Sequence, residues 1–194
     1  MAKRIPEYAV HDLIVGRWSP RAMTPDDIEH DKLMSLFEAA RWAPSSYNNQ
    51  PWRFVYAKRG TPAFDAFLNL LVDFNKQWAQ HAGALVVVIS KNDFEKIEKP
   101  SRTHAFDTGA AWQNIALQGH ALGLVVHGME GFSYANAKEL LQIPEGYTVQ
   151  AMFAVGKPGK KENLPEELQE REEKSDRKKV KEFVFEELFA EKDG

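Results

Sequence analysis

Hydrophobic positions along the chain switch several times between the spacing of a strand and the spacing of a helix. Residues 84–89 (ALVVVI) form an unbroken apolar, β-branched run, which predicts a strand buried on both faces. Further apolar segments predict strands at residues 52–56, 124–127 and 147–155. Apolar positions at helical spacing predict helices at residues 8–15, 24–42, 62–72, 76–82, 104–122 and 134–141.

The order of these elements predicts the class of fold. Helices and strands interleave without a strict strand–helix–strand repeat, which favours an α+β fold with a central mixed or mostly antiparallel sheet flanked by helices. Thr24 and Pro25 are typical of a helix start, because threonine caps a first turn and proline fits inside it. The helix at 104–122 has no strongly charged face, so we expect it to be buried in the centre.

A change of composition near residue 160 divides the chain of 194 residues. Residues 1–159 hold the predicted elements and form the predicted core, whereas residues 160–194 are highly charged. The apolar side chains of this second part cluster near its end, where a disordered tail rarely carries them. They are Val180, Phe183, Val184, Phe185, Leu188 and Phe189. We therefore expect residues 160–194 to form an extension that packs on a partner subunit.

Composition and charge exclude several classes of function. The formal net charge of −3 gives no basic excess of the kind that nucleic-acid-binding proteins show. The chain has no cysteine, which excludes disulfides and thiolate chemistry, and its six histidines show no metal-ligand spacing, so we expect no metal. No apolar stretch approaches the roughly 20 residues that span a bilayer. We expect a cytoplasmic protein without membrane contact.

Standard catalytic motifs are absent from the sequence. There is no serine-hydrolase elbow, Walker loop, dinucleotide-binding glycine motif or zinc-protease helix. If the chain is an enzyme, a cofactor then carries the reactivity, and we assign no side chain as a catalytic acid, base or nucleophile. Three segments suit a cofactor, although each is also common in a bland role as a solvated surface or a self-stabilising turn.

The first segment is Arg17-Trp18-Ser19-Pro20-Arg21, in which two guanidiniums flank a hydroxyl and suit a phosphate dianion. The second is the proline-bounded loop 44–52 (PSSYNNQPW), whose uncharged donors and acceptors suit a heterocycle edge or a polyol chain. The third is Gly128-Met129-Glu130-Gly131, a strand exit where backbone N–H groups can approach a ligand closely.

Together and in this order, the three segments resemble the nitroreductase family of FMN proteins, over nearly the whole chain. Residues 43–54 (APSSYNNQPWRF) match a long family motif without departure. Residues 17–21 match its Arg-x-Ser-x-Arg/Lys, and residues 128–132 its Glu-Gly-Phe turn. Residues 109–124 resemble the family's dimer-core helix with the Leu-Gly-Leu that follows it, and residues 147–158 resemble its late strand. Ser175-Asp176-Arg177-Lys178 resembles its C-terminal phosphate clasp, although the family often has proline where this chain has Lys179.

The resemblance implies a nitroreductase-like fold, an intertwined homodimer with an extension that wraps the partner, and FMN sites at the subunit interface. By this resemblance the FMN phosphate would be bound by Arg17, Ser19, Arg21 and Arg177, with Trp18 beside them. The ribityl chain and ring would meet residues of the opposite subunit, namely Pro44, Ser45, Ser46, Asn48 and Gln50.

Two further parts of the cofactor site follow from the same resemblance. Asn75 corresponds to an asparagine that meets the pyrimidine edge of the flavin. The amides of Glu130 and Gly131 would lie near flavin N5, in the segment that begins with Gly128 and Met129. The reacting atom would therefore be N5 of the cofactor and not an atom of a side chain.

The function implied is electron transfer from NADH or NADPH, through tightly bound FMN, to a nitroaromatic- or quinone-like small molecule, with ping-pong kinetics. Nothing in the sequence separates NADH from NADPH. Three alternatives stay open: an FMN carrier or sensor without turnover, a relative with other flavin chemistry such as dehalogenation or dehydrogenation, and a cofactor-free interaction module. The presence of phosphate, ring and N5 elements favours the oxidoreductase.

Overall fold

The apolar run at residues 84–89 becomes the centre of the sheet. The computed structural model describes residues 4–97 and 99–189. The strands in this part of the chain are β1 (Met23–Thr24), β2 (Trp52–Lys58), β3 (Ala84–Lys91), β4 (Val125–Met129) and β5 (Tyr147–Pro158). β3 lies between β2 and β5 and is buried on both faces from Ala84 to Ser90, as its sequence predicts.

The long strand β5 connects the rest of the sheet. It pairs with β3, with β4 (Val125 opposite Gly156) and, at its end, with β1 (Met23 opposite Pro158). Every pairing between these strands is antiparallel. The predicted α+β class is confirmed, and of the two predicted kinds of sheet the antiparallel one is found.

Helices cover both faces of the sheet. The helices of the described residues are α1 (Asp12–Gly16), α2 (His30–Arg41), α3 (Pro62–Leu70), α4 (Asp73–Ala79), α5 (His104–Ala121), α6 (Tyr134–Leu140) and α7 (Glu166–Gln169). Alternate side chains of β3 point to opposite faces, so Val86 packs with Leu36 of α2 and Ile115 of α5. Val87 belongs to the other core, with Phe67 of α3.

The predicted helix start at Thr24 is wrong. Thr24 lies in β1 opposite Lys157, its hydroxyl donates to the Asp26 carboxylate at 2.8 Å, and α2 begins only at His30. The capping signal is local, whereas the competing backbone hydrogen bonds come from the far end of the chain. Pairing with β5 therefore overrides the local preference.

Other helix boundaries also differ from the pattern. The helix predicted at 8–15 is only α1, whose first turn is capped by His11 Nδ1 accepting from the Leu13 N–H at 3.1 Å. The helix predicted at 76–82 begins earlier, at Asp73, and the one predicted at 62–72 ends at Leu70. Thr61 caps that helix through the Phe64 N–H, with Pro62 in the first turn.

Helix α5 is buried on one face only, contrary to the expectation of a helix buried all round. Ala111 and Ile115 pack into the core, whereas Phe106 is 81% exposed. A large aromatic side chain left in water costs free energy unless another surface covers it. The second face of α5 is therefore uncharged and exposed in the single chain.

The chain beyond residue 159 first returns to the core and then leaves it. Leu164 and Leu168 of this segment are buried in the same cluster as Phe67. From residue 173 onward the side chains are mostly exposed, including Phe183 at 58% and Phe189 at 77%. Residues 190–194 of the predicted extension lie outside the described residues. The boundary at residue 159 and the packing on a partner stay predictions. None of the described helices combines the length and apolar composition that crossing a bilayer requires.

Candidate functional site

Several of the predicted phosphate-binding residues line one cavity. This arginine cavity has a volume of about 260 Å³. It is lined by Arg4, Arg17, Trp18, Ser19, Arg21, His127, Arg171, Glu173, Ser175 and Arg177. The segment that follows α1, the middle of β4 and the extension therefore meet at one point, as the resemblance of residues 17–21 and 175–178 implies. No sequence motif marks Arg4, His127 or Arg171 as part of this site.

Two hydroxyls hold the guanidiniums at the cavity wall. Arg17 Nη1 donates to Ser19 Oγ at 3.2 Å, and Arg177 Nη1 donates to Ser175 Oγ at 2.8 Å. Hydroxyls compensate little of the positive charge. Both arginines therefore keep most of their capacity to bind an anion.

Glu172 anchors the extension to the arginine segment. Its buried carboxylate accepts the backbone N–H of Arg21 and of Ala22, each at 2.8 Å, and lies 4.0 Å from Arg21 Nη1. The Arg21 Nε–H is buried without an acceptor among the described residues. A buried donor without a partner costs roughly 1–3 kcal/mol, which a ligand in the cavity could recover.

The charge of the cavity favours an anion. Burial lowers the pKa of Arg17, and the neighbouring Arg177 and Arg4 lower it further. Arginine stays protonated at any ordinary pH, so the lowered pKa of Arg17 reports a charge that has lost part of its hydration and that lies beside two like charges. A dianion placed between these guanidiniums would attract each of them and offset their mutual repulsion.

His127 contributes a neutral ring to the same wall. Burial lowers its pKa to about 4, the Pro20 carbonyl opposes this shift, and Arg21 and Arg17 add to it. The Nδ1 atom lies 2.8 Å from the Pro20 carbonyl oxygen. Because a carbonyl only accepts, Nδ1 carries the proton and Nε2 is an acceptor near neutral pH. This histidine holds the backbone at Pro20 without adding charge.

The proline-bounded loop is rigid and strained. Tyr47, Asn48 and Gln50 all have positive φ, at 52°, 51° and 49°. Ser45 Oγ accepts the Gln50 N–H at 3.0 Å, and the buried carboxylate of Asp107 accepts the Ser46 N–H at 3.1 Å. Such backbone strain is concentrated at functional sites and persists only where surrounding contacts enforce it.

This amide loop borders a second, larger cavity. The amide-loop cavity has a volume of about 590 Å³ and is lined by Tyr47, Asn48, Asn49, Gln50, Trp52, Arg53, Phe94, Glu95, Lys96 and Ile97. Of the predicted loop residues, Asn48 and Gln50 line it, whereas Pro44, Ser45 and Ser46 do not. Asn49 Oδ1 fixes the opposite rim by accepting the Glu95 N–H at 2.9 Å. The two cavities share no lining residue.

The third predicted segment meets Asn75. The Asn75 Nδ2 donates to the Gly131 carbonyl at 3.1 Å, and a Cβ at Gly131 would lie only 2.8 Å from that nitrogen. Met129 is buried in the core and Gly128 packs against Trp112, so neither offers a side chain to a ligand. Glu130 is exposed. The structure thus brings Asn75 to the Glu130-Gly131 turn, although the two segments are far apart in sequence.

The cofactor-binding roles of these residues stay predictions, whereas their positions are observed. In the described part of the chain no three histidine, aspartate or glutamate side chains gather as a metal site would require. Within one chain the arginine cavity, the amide-loop cavity and the Asn75 turn are three separate places. The sequence gives no signal of this separation, because it depends on packing.

Comparisons with known proteins agree with the sequence motifs. The model of the nitroreductase family matches residues 14–63 and 57–157. Protein DrgA of Synechocystis sp. is 30% identical over 182 residues, which cover 77% of this chain and 87% of that protein. A protein of Archaeoglobus fulgidus, provisionally named NADH dehydrogenase/NAD(P)H nitroreductase, is 29% identical over 157 residues, 75% of this chain and 83% of that protein.

A solved structure agrees along almost the entire length. It is described as an oxidoreductase containing FMN and is 41% identical to this chain. The superposition has a TM-score of 0.93 and covers 99% of this chain and 100% of that one.

Proposed function

The chain belongs to the nitroreductase family, and we propose that it is an FMN-dependent oxidoreductase that passes electrons from NADH or NADPH to an organic acceptor. The observation that carries the proposal is the arginine cavity. Five arginines line it, Arg4, Arg17, Arg21, Arg171 and Arg177, against a single glutamate, Glu173. That charge suits the phosphate dianion of FMN.

The dimensions of β4 also suit FMN. His127 lies at the arginine cavity, and Glu130 follows three residues later at the turn next to Asn75. Three residues of a strand advance by about 10 Å, a length that a ribityl chain between phosphate and ring can span. Arg17, Ser19, Arg21 and Arg177 would bind the phosphate, Asn75 the pyrimidine edge, and the Glu130 and Gly131 amides the N5 side.

A second copy of the chain supplies the remaining wall in this proposal. The amide loop lies outside the arginine cavity in one chain, and α5 leaves Phe106 uncovered. Pairing two chains through α5 would cover that face and bring the partner's loop to the cofactor. Pro44, Ser45, Ser46, Asn48 and Gln50 would then face the ribityl chain and ring from the other subunit. The homodimer therefore completes the site.

Bound FMN would supply the chemistry of accepting and releasing a hydride at N5. The chain itself binds the phosphate, orients the ring and places backbone N–H dipoles where negative charge develops. No described side chain needs to transfer a proton. Since nicotinamide and acceptor would use one face in turn, initial rates should follow ping-pong kinetics with nitroaromatic or quinone-like acceptors.

Anaerobic spectroscopy of the purified protein tests the proposal. We expect yellow protein whose visible flavin absorbance is bleached by NADH or NADPH and restored by a nitroaromatic or a quinone. Steady-state rates should then give parallel double-reciprocal lines. The nicotinamide that bleaches faster identifies the preferred donor.

Other outcomes identify the rival functions. Yellow protein that neither nicotinamide bleaches would indicate an FMN carrier or sensor. Protein that stays colourless after soaking in FMN would indicate an interaction module. Bleaching without reoxidation by nitroaromatics or quinones would indicate another acceptor chemistry.

A further inference from the structure

Arg4 reaches the arginine cavity from the start of the chain. Its Nη1 donates to the carbonyl oxygens of Val15 at 3.0 Å and Arg17 at 2.7 Å. Its Nε donates to the Ser175 carbonyl at 2.9 Å. One guanidinium thus joins the N-terminal segment, the end of α1 and the extension, and none of these contacts uses Nη2.

A second contact joins the same two segments. The Glu7 carboxylate accepts the backbone N–H of Val180 at 2.7 Å. Arg4 and Glu7 together fasten residues 4–7 along residues 175–180, which lie more than 165 positions away in sequence. We name this pair of contacts the terminal clasp.

Arg4 lies close to other arginines of the arginine cavity. Burial lowers the pKa of Arg4, Arg177 lowers it further, and Asp176 raises it. The positive charges of Arg177 and Arg4 also lower the pKa of Arg17, after burial, which is the largest cause. Arg4, Arg17 and Arg177 come from three segments and all line the arginine cavity, and among the described residues Glu173 supplies the one carboxylate that lines it.

We propose that Arg4 is a phosphate ligand of the cofactor, and that the bound phosphate locks the N-terminal segment and the extension together through the terminal clasp. This inference rests on the proposed FMN site, and it adds to that site Arg4 as a ligand and the coupling of phosphate binding to the terminal clasp. The phosphate would neutralise the repulsion that otherwise pushes Arg4 away from Arg177. Cofactor binding and the contact between residues 4–7 and residues 175–180 would then form in one coupled step.

Paired titrations with FMN and riboflavin test the proposal, because the two flavins differ only by the phosphate. Flavin fluorescence quenching gives both dissociation constants for the full-length protein freed of cofactor. In Arg4→Ala we expect FMN affinity to fall about tenfold, as for the loss of one partly exposed charge-assisted contact. Riboflavin affinity should not change. Arg4→Lys should recover part of the loss.

A matched control removes a guanidinium elsewhere. Arg41 pairs with Glu38 on α2 and lines neither cavity. Arg41→Ala should keep the wild-type preference for FMN over riboflavin. An unchanged preference in Arg4→Ala as well would overturn the role of Arg4. A wild-type protein that binds FMN no better than riboflavin would instead overturn the phosphate site itself.

Limited trypsin digestion tests the clasp without any measurement of activity. Lys178, Lys179 and Lys181 of the extension are exposed, line neither cavity and offer cleavage sites. FMN should slow cleavage there in wild-type protein, riboflavin should not, and Arg4→Ala should lose the protection even at saturating FMN. Equal protection by the two flavins, or full protection of Arg4→Ala, would refute the coupling.

Discussion

Individual arginine side chains of the arginine cavity are held in conditions that are unfavourable without a bound anion. Arg17 is half-buried among like charges, and the Nε–H of Arg21 is buried without an acceptor. Both conditions cost stability in the absence of an anion. A ligand-binding role would explain both costs, because active-site residues commonly reduce the stability of the fold.

Replacement of Arg17 should weaken the cofactor site without damaging the fold. Arg17→Ala removes a charge-assisted contact worth roughly 1.5–3 kcal/mol, so FMN should be lost readily on dialysis. Isothermal titration calorimetry measures the loss. Because the change also relieves repulsion with Arg4 and Arg177, the thermal stability of the cofactor-free protein should not fall. Flavin content equal to that of wild type would remove Arg17 from the site.

His127 predicts a particular dependence of stability on pH. Its pKa is about 4 in the fold and 6.5 in an unfolded chain, so between these values the unfolded chain binds more protons. The contribution of His127 is therefore complete above pH 6.5 and is lost as pH falls towards 4, by about 3 kcal/mol in total.

Denaturant titrations across this pH range measure that loss. His127→Asn keeps a donor for the Pro20 carbonyl but cannot become charged. At equal protein concentration we expect the variant to have the flatter profile between pH 6.5 and 4. Identical slopes for the two proteins would show that His127 is not held neutral.

At the scale of elements, α5 has two different faces. The buried face packs Ala111 and Ile115 against the sheet. The opposite face carries Phe106 and Gly109, and a Cβ at Gly109 would meet none of the described residues within 4 Å. A glycine inside a helix costs about 1 kcal/mol relative to alanine, and no contact among the described residues explains its presence here.

Substitution of Gly109 distinguishes an exposed α5 from an α5 that packs on a partner, because the expected change in stability has the opposite sign in the two cases. If α5 stays exposed, Gly109→Ala should stabilise the protein by about 0.5–1 kcal/mol through helix propensity alone. We expect the reverse, because a partner helix would approach closely at this position. Gly109→Ala should weaken the dimer and the larger Gly109→Leu should weaken it more, as sedimentation velocity over a dilution series would show. Asn136→Ala on the exposed side of α6 is the control, and it should leave dimerisation unchanged.

For the whole molecule, the extension has two parts with different tasks. Leu164, Leu168 and Glu172 are buried, so the first part completes the core and positions Arg21. The second part presents Phe183 and Phe189 to solvent. Truncation after Gly159 would therefore damage core, cofactor site and interface together.

A later truncation separates these tasks. Deletion of residues 182–194 keeps Arg177, the contact between Glu7 and Val180 and the buried part of the extension, but removes the exposed aromatic side chains. We expect a weaker dimer by size-exclusion chromatography with light scattering, and a cofactor site that still binds FMN at high protein concentration. Phe183→Ser combined with Phe189→Ser should weaken the dimer in the same direction. A dimer unaffected by either change would show that the extension does not embrace a partner.

The sequence by itself determined the elements whose cause is local. The run at 84–89 can be satisfied only by burial on both faces, and Thr61 with Pro62 starts α3 where capping predicts. Arg17, Ser19 and Arg21 were identified from their chemistry and spacing, Arg177 was identified from the resemblance to the family, and all four line one cavity.

Only the tertiary structure decided the features that depend on distant parts of the chain. Thr24 lies in a strand because it pairs with β5. Glu172 accepts the backbone N–H of Arg21, which is 151 positions away in sequence. Arg4 and His127 joined the arginine cavity with no motif to mark them. The physical reason is that local sequence fixes dihedral preference and the apolar face of an element, whereas the meeting of side chains in space is fixed by how the elements pack.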